Sequence, residues 1–107
     1  MRRPDFLRCY DAGRRYYAKH FIMFVFRRED SSGVWRLGIA VTRKTGGAVQ
    51  RNRVKRVLRE FFRLHQIVLP AGTDMVVVPK RGLNPSRLSL DNVGKEFLPL
   101  LAAIGRA

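Results

Sequence analysis

Arg51, Asn52, Arg53, Lys55, Arg56 and Arg59 crowd into one short stretch of the chain. Guanidinium and ammonium groups donate hydrogen bonds without accepting them, and Asn52 among them can do both, so the chemistry on offer is the neutralisation and orientation of phosphate oxygens. At about 100° per residue, Val54, Val57, Leu58, Phe61 and Phe62 fall in one arc, and Arg51, Asn52, Arg53, Lys55, Arg56, Arg59 and Arg63 occupy the rest. A helix here packs by an apolar stripe and presents a wide cationic face. Glu60 is the one acid in it. The like-charge pairs Arg51/Lys55, Lys55/Arg59 and Arg59/Arg63 each repel by about 0.2–0.5 kcal/mol. A helix built only for solubility would interleave glutamates, so this one reads as a nucleic-acid contact. Upstream, Lys44-Thr45-Gly46-Gly47 brings charge and backbone N–H groups to the helix N-terminus, where a phosphate is well received.

The other reactive side chains do not assemble into a catalyst. Proteins that break bonds themselves need a poised acid and base, a metal cluster or an activated nucleophile. His20 and His65 stand apart without a ligand motif and read as strand-end and helix-end residues. Cys9 reads as a small packing residue, and Asp5, Asp11 and Glu60 as surface charge. The expected catalytic and metal-ligating set of this chain is therefore empty.

The whole chain agrees with a polyanion partner. It has 107 residues and a formal charge of +14, with 46% hydrophobic and 10% aromatic residues, so the charge sits on one folded domain, 1–107, rather than on a disordered tail. Residues 1–65 hold 17 of the 22 Lys and Arg against five of the eight acids, which makes the last third the scaffold. A single cysteine gives no reason to expect an oxidising compartment. The basic N-terminus is not followed by an apolar signal segment, because Arg8, Asp11, Arg14 and Arg15 interrupt it. The apolar run at 21–26 is far short of the ~20 residues of a membrane span. The expectation is a soluble, cytoplasmic protein with no membrane partner and no obligate protein partner.

The elements that must hold the basic helix can be read in order. Pro4, Asp5 and Gly13 mark a first helix, with Phe6 and Tyr10 on one face. Residues 20–28 alternate as a strand that is apolar on both faces. A turn at 29–33 leads to a strand at 34–43 with Leu37, Ile39 and Val41 on one side and Gly38, Ala40 and Thr42 on the other, and the two strands are expected to form a hairpin. The basic helix runs from about residue 48 or 50 to 65. A strand follows at 75–78, and then a last helix N-capped by Ser89. Leu90, Val93, Phe97, Leu98, Leu100, Leu101 and Ile104 form its buried side, and Pro99 raises the question of a kink or an end. The pattern gives a single compact α+β domain.

Arg51-Asn52-Arg53, set in Gly47-Ala48-Val49-Gln50 and followed by Val54-Lys55-Arg56-Val57-Leu58-Arg59-Glu60, resembles the signature of the protein subunit of bacterial ribonuclease P. Asp5-Phe6 with Tyr10 and Gly13, Phe21 to Phe24, and Arg36-Leu37-Gly38-Ile39-Ala40-Val41-Thr42-Arg43-Lys44 extend the resemblance over nearly the whole chain. The resemblance implies a four-stranded sheet with three helices and a left-handed βαβ crossover around the basic helix. It implies an accessory subunit of an endoribonuclease that removes the 5′ leader of precursor tRNA, with catalysis by ribonuclease P RNA and its magnesium and no cofactor on the protein alone. Arg51, Asn52, Arg53, Lys55, Arg56 and Arg59 would then contact the catalytic RNA. Phe6, Tyr10, Phe24, Arg43 and Lys44 would line a cleft for the leader, where aromatic stacking is sequence-tolerant. Phe24 stands where many members of the family have tyrosine, and Tyr10 where phenylalanine is frequent; stacking survives both changes.

On the residues alone, core packing competes as the role of Phe6 and Phe24. A ribosomal or RNA-chaperone type protein shares the charge and the element pattern, and the aromatic cleft with the RNR block separates it. A DNA-binding repressor needs a helix-turn-helix, whereas the 44–47 loop follows a strand. A membrane-active helix would leave its apolar face free, and here that face is needed for the core.

Overall fold

Helix α1 (Arg3–Ala12) begins where Pro4 fits its first turn and the Asp5 carboxylate accepts the Arg2 N–H at 2.9 Å. It stops at Gly13, whose N–H donates to the Cys9 carbonyl at 2.9 Å. A Cβ on Gly13 would lie 2.4 Å from that oxygen, so only glycine lets the chain turn so tightly out of the helix. It passes directly into strand β1 (Arg14–Tyr17), which the sequence pattern did not suggest. The computed structural model describes residues 1–28 and 33–106. The expected turn at 29–33 lies outside the described residues except for Gly33.

Strand β2 (Phe21–Arg27) is antiparallel to β1, and β3 (Arg36–Ile39) and β4 (Thr73–Pro79) complete one mixed sheet in the order β1-β2-β4-β3. Two expectations change here. The strand expected at 34–43 is ordered as β-structure only over four residues, and it does not form a hairpin with β2. Instead β4 lies between them, antiparallel to β2 and parallel to β3. The reason is burial: Met75, Val76 and Val77 are inaccessible on both faces, and such a strand belongs in the middle of a covered sheet. The fourth strand is β1, not a piece of the expected hairpin.

Helix α2 (Ala48–Leu64) provides the crossover between parallel β3 and β4. It packs with helix α3 (Leu90–Arg106) on one face of the sheet, where Phe21, Met23, Met75 and Val77 meet Val54, Leu58, Phe61, Phe62 and Phe97. On the other face α1 covers Phe24 and Val76 with Cys9, flanked by Phe6 and Tyr10. Ser89 caps α3 as expected: its hydroxyl accepts the Asn92 N–H at 3.2 Å, and Asn92 Oδ1 accepts the Ser89 N–H at 3.0 Å. Helix α3 runs unbroken through Pro99, which sits on its exposed side, where the carbonyl that loses its donor can meet water. Leu90 and Leu98, expected in the buried stripe, are exposed.

One polar cluster ties these elements together. The Asp74 side chain on β4 is fully buried. Arg36 of β3 grips it with Nε at 2.7 Å and Nη2 at 2.6 Å, and Arg28, just past β2, adds Nη1. Arg36 also reaches Asp5 of α1 at 3.3 Å, and Cys9 Sγ lies 3.8 Å from the Asp74 carbonyl oxygen. Burial alone would raise the Asp74 pKa, but the hydrogen bonds from Arg36 and Arg28 hold it below the ordinary carboxylate value.

A carboxyl whose pKa is depressed by folding stabilises the protein above its unfolded pKa of about 3.9, and the contribution is lost as pH falls through the folded value. Asp74→Asn leaves two guanidinium groups facing a neutral amide and is expected to cost about 3–5 kcal/mol at neutral pH. Urea unfolding measures the loss, and its difference from the parent protein should shrink as pH drops below about 4. A difference that stays constant into acid would show that the ion cluster is not its source.

Candidate nucleic-acid interface

The solvent face of α2 is narrower than a helical projection suggests, because neighbouring elements claim part of it. Asn52, Arg56, Arg59 and Arg63, spaced by four, three and four residues, are all exposed and form one line about 16 Å long. Lys55 flanks that line and is partly buried. Arg63 forms a paired contact with Glu60, its Nη2 2.5 Å from Oε1 and its Nε 3.1 Å from Oε2. Among the described residues neither Arg56 nor Arg59 has an ion-pair partner.

The two arginines of the RNR block turn toward the protein. Arg53 donates from Nε to the Pro85 carbonyl at 2.9 Å and from Nη2 to the Leu88 carbonyl at 2.8 Å. Those carbonyls belong to a 3-10 turn (Pro85–Arg87) and its exit, so Arg53 clips the segment before α3 onto α2. Arg51 lies on the side of Val54 and Leu58, partly buried, with its Nε sealed from solvent. The six residues expected to contact RNA, five of them at phosphates, thus fall into an outer line with Asn52, Arg56 and Arg59, a flanking Lys55 and an inner pair, Arg51 and Arg53.

At its start α2 is open to an anion. Gly47 is the N-cap and offers no side chain to the first N–H groups, and no acid lies in the first turn. Lys44 and Arg43 are exposed in the turn that precedes it.

A second surface lies on the opposite side of the sheet, and register defines it. Tyr17 pairs with Ile22, Ile22 with Val78, and Ala40 lies beyond them, hydrogen-bonded to β4 through the Val77 carbonyl at 3.0 Å. This row is only partly covered by α1, and Tyr17 is 58% exposed. A groove of about 230 Å³ opens there between Ala40, Thr42 and Lys44 on one side and Val78, Lys80 and Arg81 on the other. Lys80 Nζ sits 5.6 Å from the centre of the Tyr17 ring and donates to the Ala18 carbonyl at 2.6 Å. Arg15 lies 5.3 Å from the Phe24 ring centre. Aromatic faces beside cations, with a smooth floor, suit a single nucleic-acid strand.

Of the expected cleft residues, Phe6, Tyr10 and Phe24 are brought together and Lys44 lines the groove, while Arg43 stays on the exposed turn outside it. Tyr10 meets Phe24 edge to face at 4.9 Å. Phe24 is only 9% exposed, so it is a wall of the core under Tyr10 rather than an open stacking platform. Phe6 lies against Gly38, where a Cβ would come within 2.5 Å of its ring tip; glycine there is what lets the helix approach the sheet. Tyr17, Arg15, Ile22, Val78 and Lys80 were not singled out in the sequence. The available signal was Arg14-Arg15-Tyr16-Tyr17, two arginines followed by two β-favouring tyrosines, which does not alternate and is short enough to pass for loop.

The isolated titratable groups take structural places. His20 precedes β2 and is held by Glu96, which accepts its N–H at 2.6 Å and meets its Nδ1 at 2.8 Å. His65 caps α2 and stacks on Phe61 at 4.3 Å. Cys9 is inaccessible, and burial, with Asp74 adding to it, pushes its thiol up to about 11, far from a reactive thiolate. Among the described residues no group of three or more His, Cys, Asp or Glu could hold a metal ion. Nor is any described helix long and apolar enough to cross a membrane.

Residues 1–105 match the family model described as Ribonuclease P. The chain is 59% identical over 103 residues to the ribonuclease P protein component of Oleidesulfovibrio alaskensis, covering 96% of this chain and 82% of that one. Its fold is similar to the solved structure of the RNase P protein from Thermotoga maritima, with a TM-score of 0.85, 36% identity, and coverage of 94% and 93%. The Staphylococcus aureus RNase P protein structure is also similar, at TM-score 0.79 and 27% identity, covering 98% of this chain and 92% of that one.

The placement of Arg53 has a direct consequence. Arg53→Ala removes the side-chain donor from the Leu88 carbonyl and leaves the Pro85 carbonyl with the Leu88 N–H alone, and it is expected to lower stability by about 1–3 kcal/mol in urea unfolding. Arg56→Ala, on the outer line, should change it by less than about 0.5 kcal/mol. Equal losses would mean that Arg53 does not hold the 3-10 turn.

Proposed function

The chain belongs to the bacterial ribonuclease P protein family, and we propose that it binds the catalytic RNA through α2 and the 5′ leader of precursor tRNA through the groove on the opposite face of the sheet. The observation that carries this reading is the exposed, acid-poor line of Asn52, Arg56 and Arg59 on a helix whose other side is locked into the core. Ribonuclease P is an endoribonuclease. The protein's part in it is to dock on the RNA and to hold the leader beside it, and the cleavage chemistry with its magnesium belongs to the RNA.

Each surface has its own physics. Arg56 and Arg59 on the outer line, with Arg43 and Lys44 at the helix start, neutralise phosphates and release counterions, a salt-dependent contribution. Arg53 acts by positioning, since it fixes the segment between β4 and α3 against α2. Beside the groove on the same face of the sheet, Tyr17 and Tyr10 provide faces for bases, while within it Lys44 and Lys80 meet the backbone and Ala40 keeps the floor low. Phe24 supports Tyr10 from beneath. Because Tyr10 and Phe24 touch, the exchange of tyrosine and phenylalanine relative to many members of the family leaves one hydroxyl on the pair.

Cleavage of precursor tRNA by a bacterial ribonuclease P RNA at low magnesium, with and without this protein, tests the assignment: stimulation is expected, and none at any protein concentration would refute it. The protein freed of RNA should not cleave. Arg56→Ala combined with Arg59→Ala should reduce the slope of log affinity against log salt by about 1–2. Tyr17→Ala should instead abolish the advantage of long leaders over short ones while leaving binding to the catalytic RNA unchanged.

A further inference from the structure

The cationic line of α2 does not end at its exposed arginines. At the C-terminal end of the helix, on the helix face of the sheet, Trp35 and Leu37 from the edge strand β3 and its approach face Arg59, Phe62, Arg63 and Gln66 across a pocket of about 380 Å³. This volume lies near the lower end of the range for small-ligand sites, the scale of one nucleotide. Phe62 is fully buried and closes the bottom. Trp35 is partly buried against the core and keeps part of its indole in the pocket. Arg36 contributes to the rim but is committed to Asp74 and Asp5. Arg59 is exposed, and Arg63 holds Glu60 while remaining 63% exposed at its side chain.

We propose that this pocket takes one unstacked nucleotide of the bound RNA, its base against the Trp35 indole and its phosphate on Arg59 and Arg63. The proposal rests on the reading that α2 binds RNA. It extends that reading to a separate site on the opposite side of the sheet from the leader groove. Three features carry it. The pocket lies on the same line as Asn52 and Arg56, so a strand following that line for about 16 Å arrives at it. An aromatic ring next to guanidinium groups offers stacking and charge together, a combination that serves unpaired nucleotides and not a closed duplex. A wholly structural tryptophan would be sealed, and a wholly apolar pocket would not be rimmed by arginines. Gln66, exposed at the rim, can donate to and accept from a base edge.

Trp35 is the one tryptophan of the chain, so its emission reports the pocket directly. The full-length protein is titrated separately with a bacterial ribonuclease P RNA and with precursor tRNA, which shows which of them supplies the nucleotide. With the RNA that does, Trp35 emission should be quenched, and its access to acrylamide should fall, at the midpoint found by anisotropy of the labelled RNA. Trp35→Ala should weaken binding about tenfold, with Trp35→Phe restoring most of the loss. Arg59→Ala with Arg63→Ala, at exposed positions that do not threaten folding, should weaken binding and remove the protection from acrylamide. If both RNAs bind tightly while Trp35 emission and acrylamide access stay unchanged, the pocket is empty in the complex and the proposal fails while RNA binding stands. If neither RNA binds, both fail together.

Discussion

A carboxylate with no contact to water sits at the junction of four elements, and the architecture depends on how it is satisfied. Asp74 on β4 is held by Arg36 from β3 and Arg28 from the end of β2, and the same Arg36 reaches Asp5 on α1. A buried charge costs several kcal/mol unless it is paired and hydrogen-bonded. Any arrangement that moved β3 away from β4 would leave that cost uncompensated. Strand β3 has only four residues and lies at the sheet edge, so its ladder alone gives a weakly specified register. The bidentate contact of Arg36 supplies the specification. It also sets where Gly38 stands beneath Phe6, and hence how closely α1 approaches the sheet next to the groove.

The positive charge of this chain is accordingly not one undivided surface. Arg28, Arg36, Arg53 and Lys80 make hydrogen bonds within the protein, to a buried acid or to backbone carbonyls. Arg56, Arg59, Lys44 and their neighbours face outward. The sheet separates the two candidate RNA surfaces, with the helix line on one side and the groove on the other, and β3 with its following turn adjoins both. That turn carries Lys44 into the groove and ends at the uncapped start of α2. A short covalent path thus connects a surface that suits docking to one that suits a single strand.

The sequence made the helices readable because each carries strong local signals: Pro4 and Gly13 at the limits of α1, Ser89 before α3, and a 3.6-residue apolar stripe in α2. The sheet was less readable because its pairings are not local. Consecutive strands usually neighbour each other, and that tendency favoured a β2–β3 hairpin. Strand β4, some fifty positions beyond β2 in the chain, decides otherwise because Met75-Val76-Val77-Val78 is apolar on both faces. Strand β1 escaped notice because Arg14 and Arg15 occupy half of a four-residue edge strand. Asp74 left a readable trace: an acid at the head of Met75-Val76-Val77-Val78 must be paired if it is buried. Its partners, however, come from other strands. Core packing of Phe24 was one of the two roles that its residue type and strand allowed, whereas the inward turn of Arg53 could not be read at all, since a helical projection assigns faces without saying which neighbour covers them.

That α2 can carry so much like charge follows from comparing magnitudes. Each i,i+4 repulsion among Lys55, Arg59 and Arg63 costs a few tenths of a kcal/mol in water, and the Glu60–Arg63 contact relieves part of it at one end of the helix. On the other side Val54, Leu58, Phe61 and Phe62 are completely inaccessible, and each such side chain contributes about 1.5–3 kcal/mol. Packing therefore outweighs repulsion severalfold, so the helix stays formed before any RNA arrives. A preformed cationic line meets phosphates without the ordering cost that a disordered basic segment incurs on binding. On the proposed reading of α2 as an RNA contact, the excess charge is unfavourable only in the free protein, and a phosphate strand laid along it would turn that same repulsion into affinity.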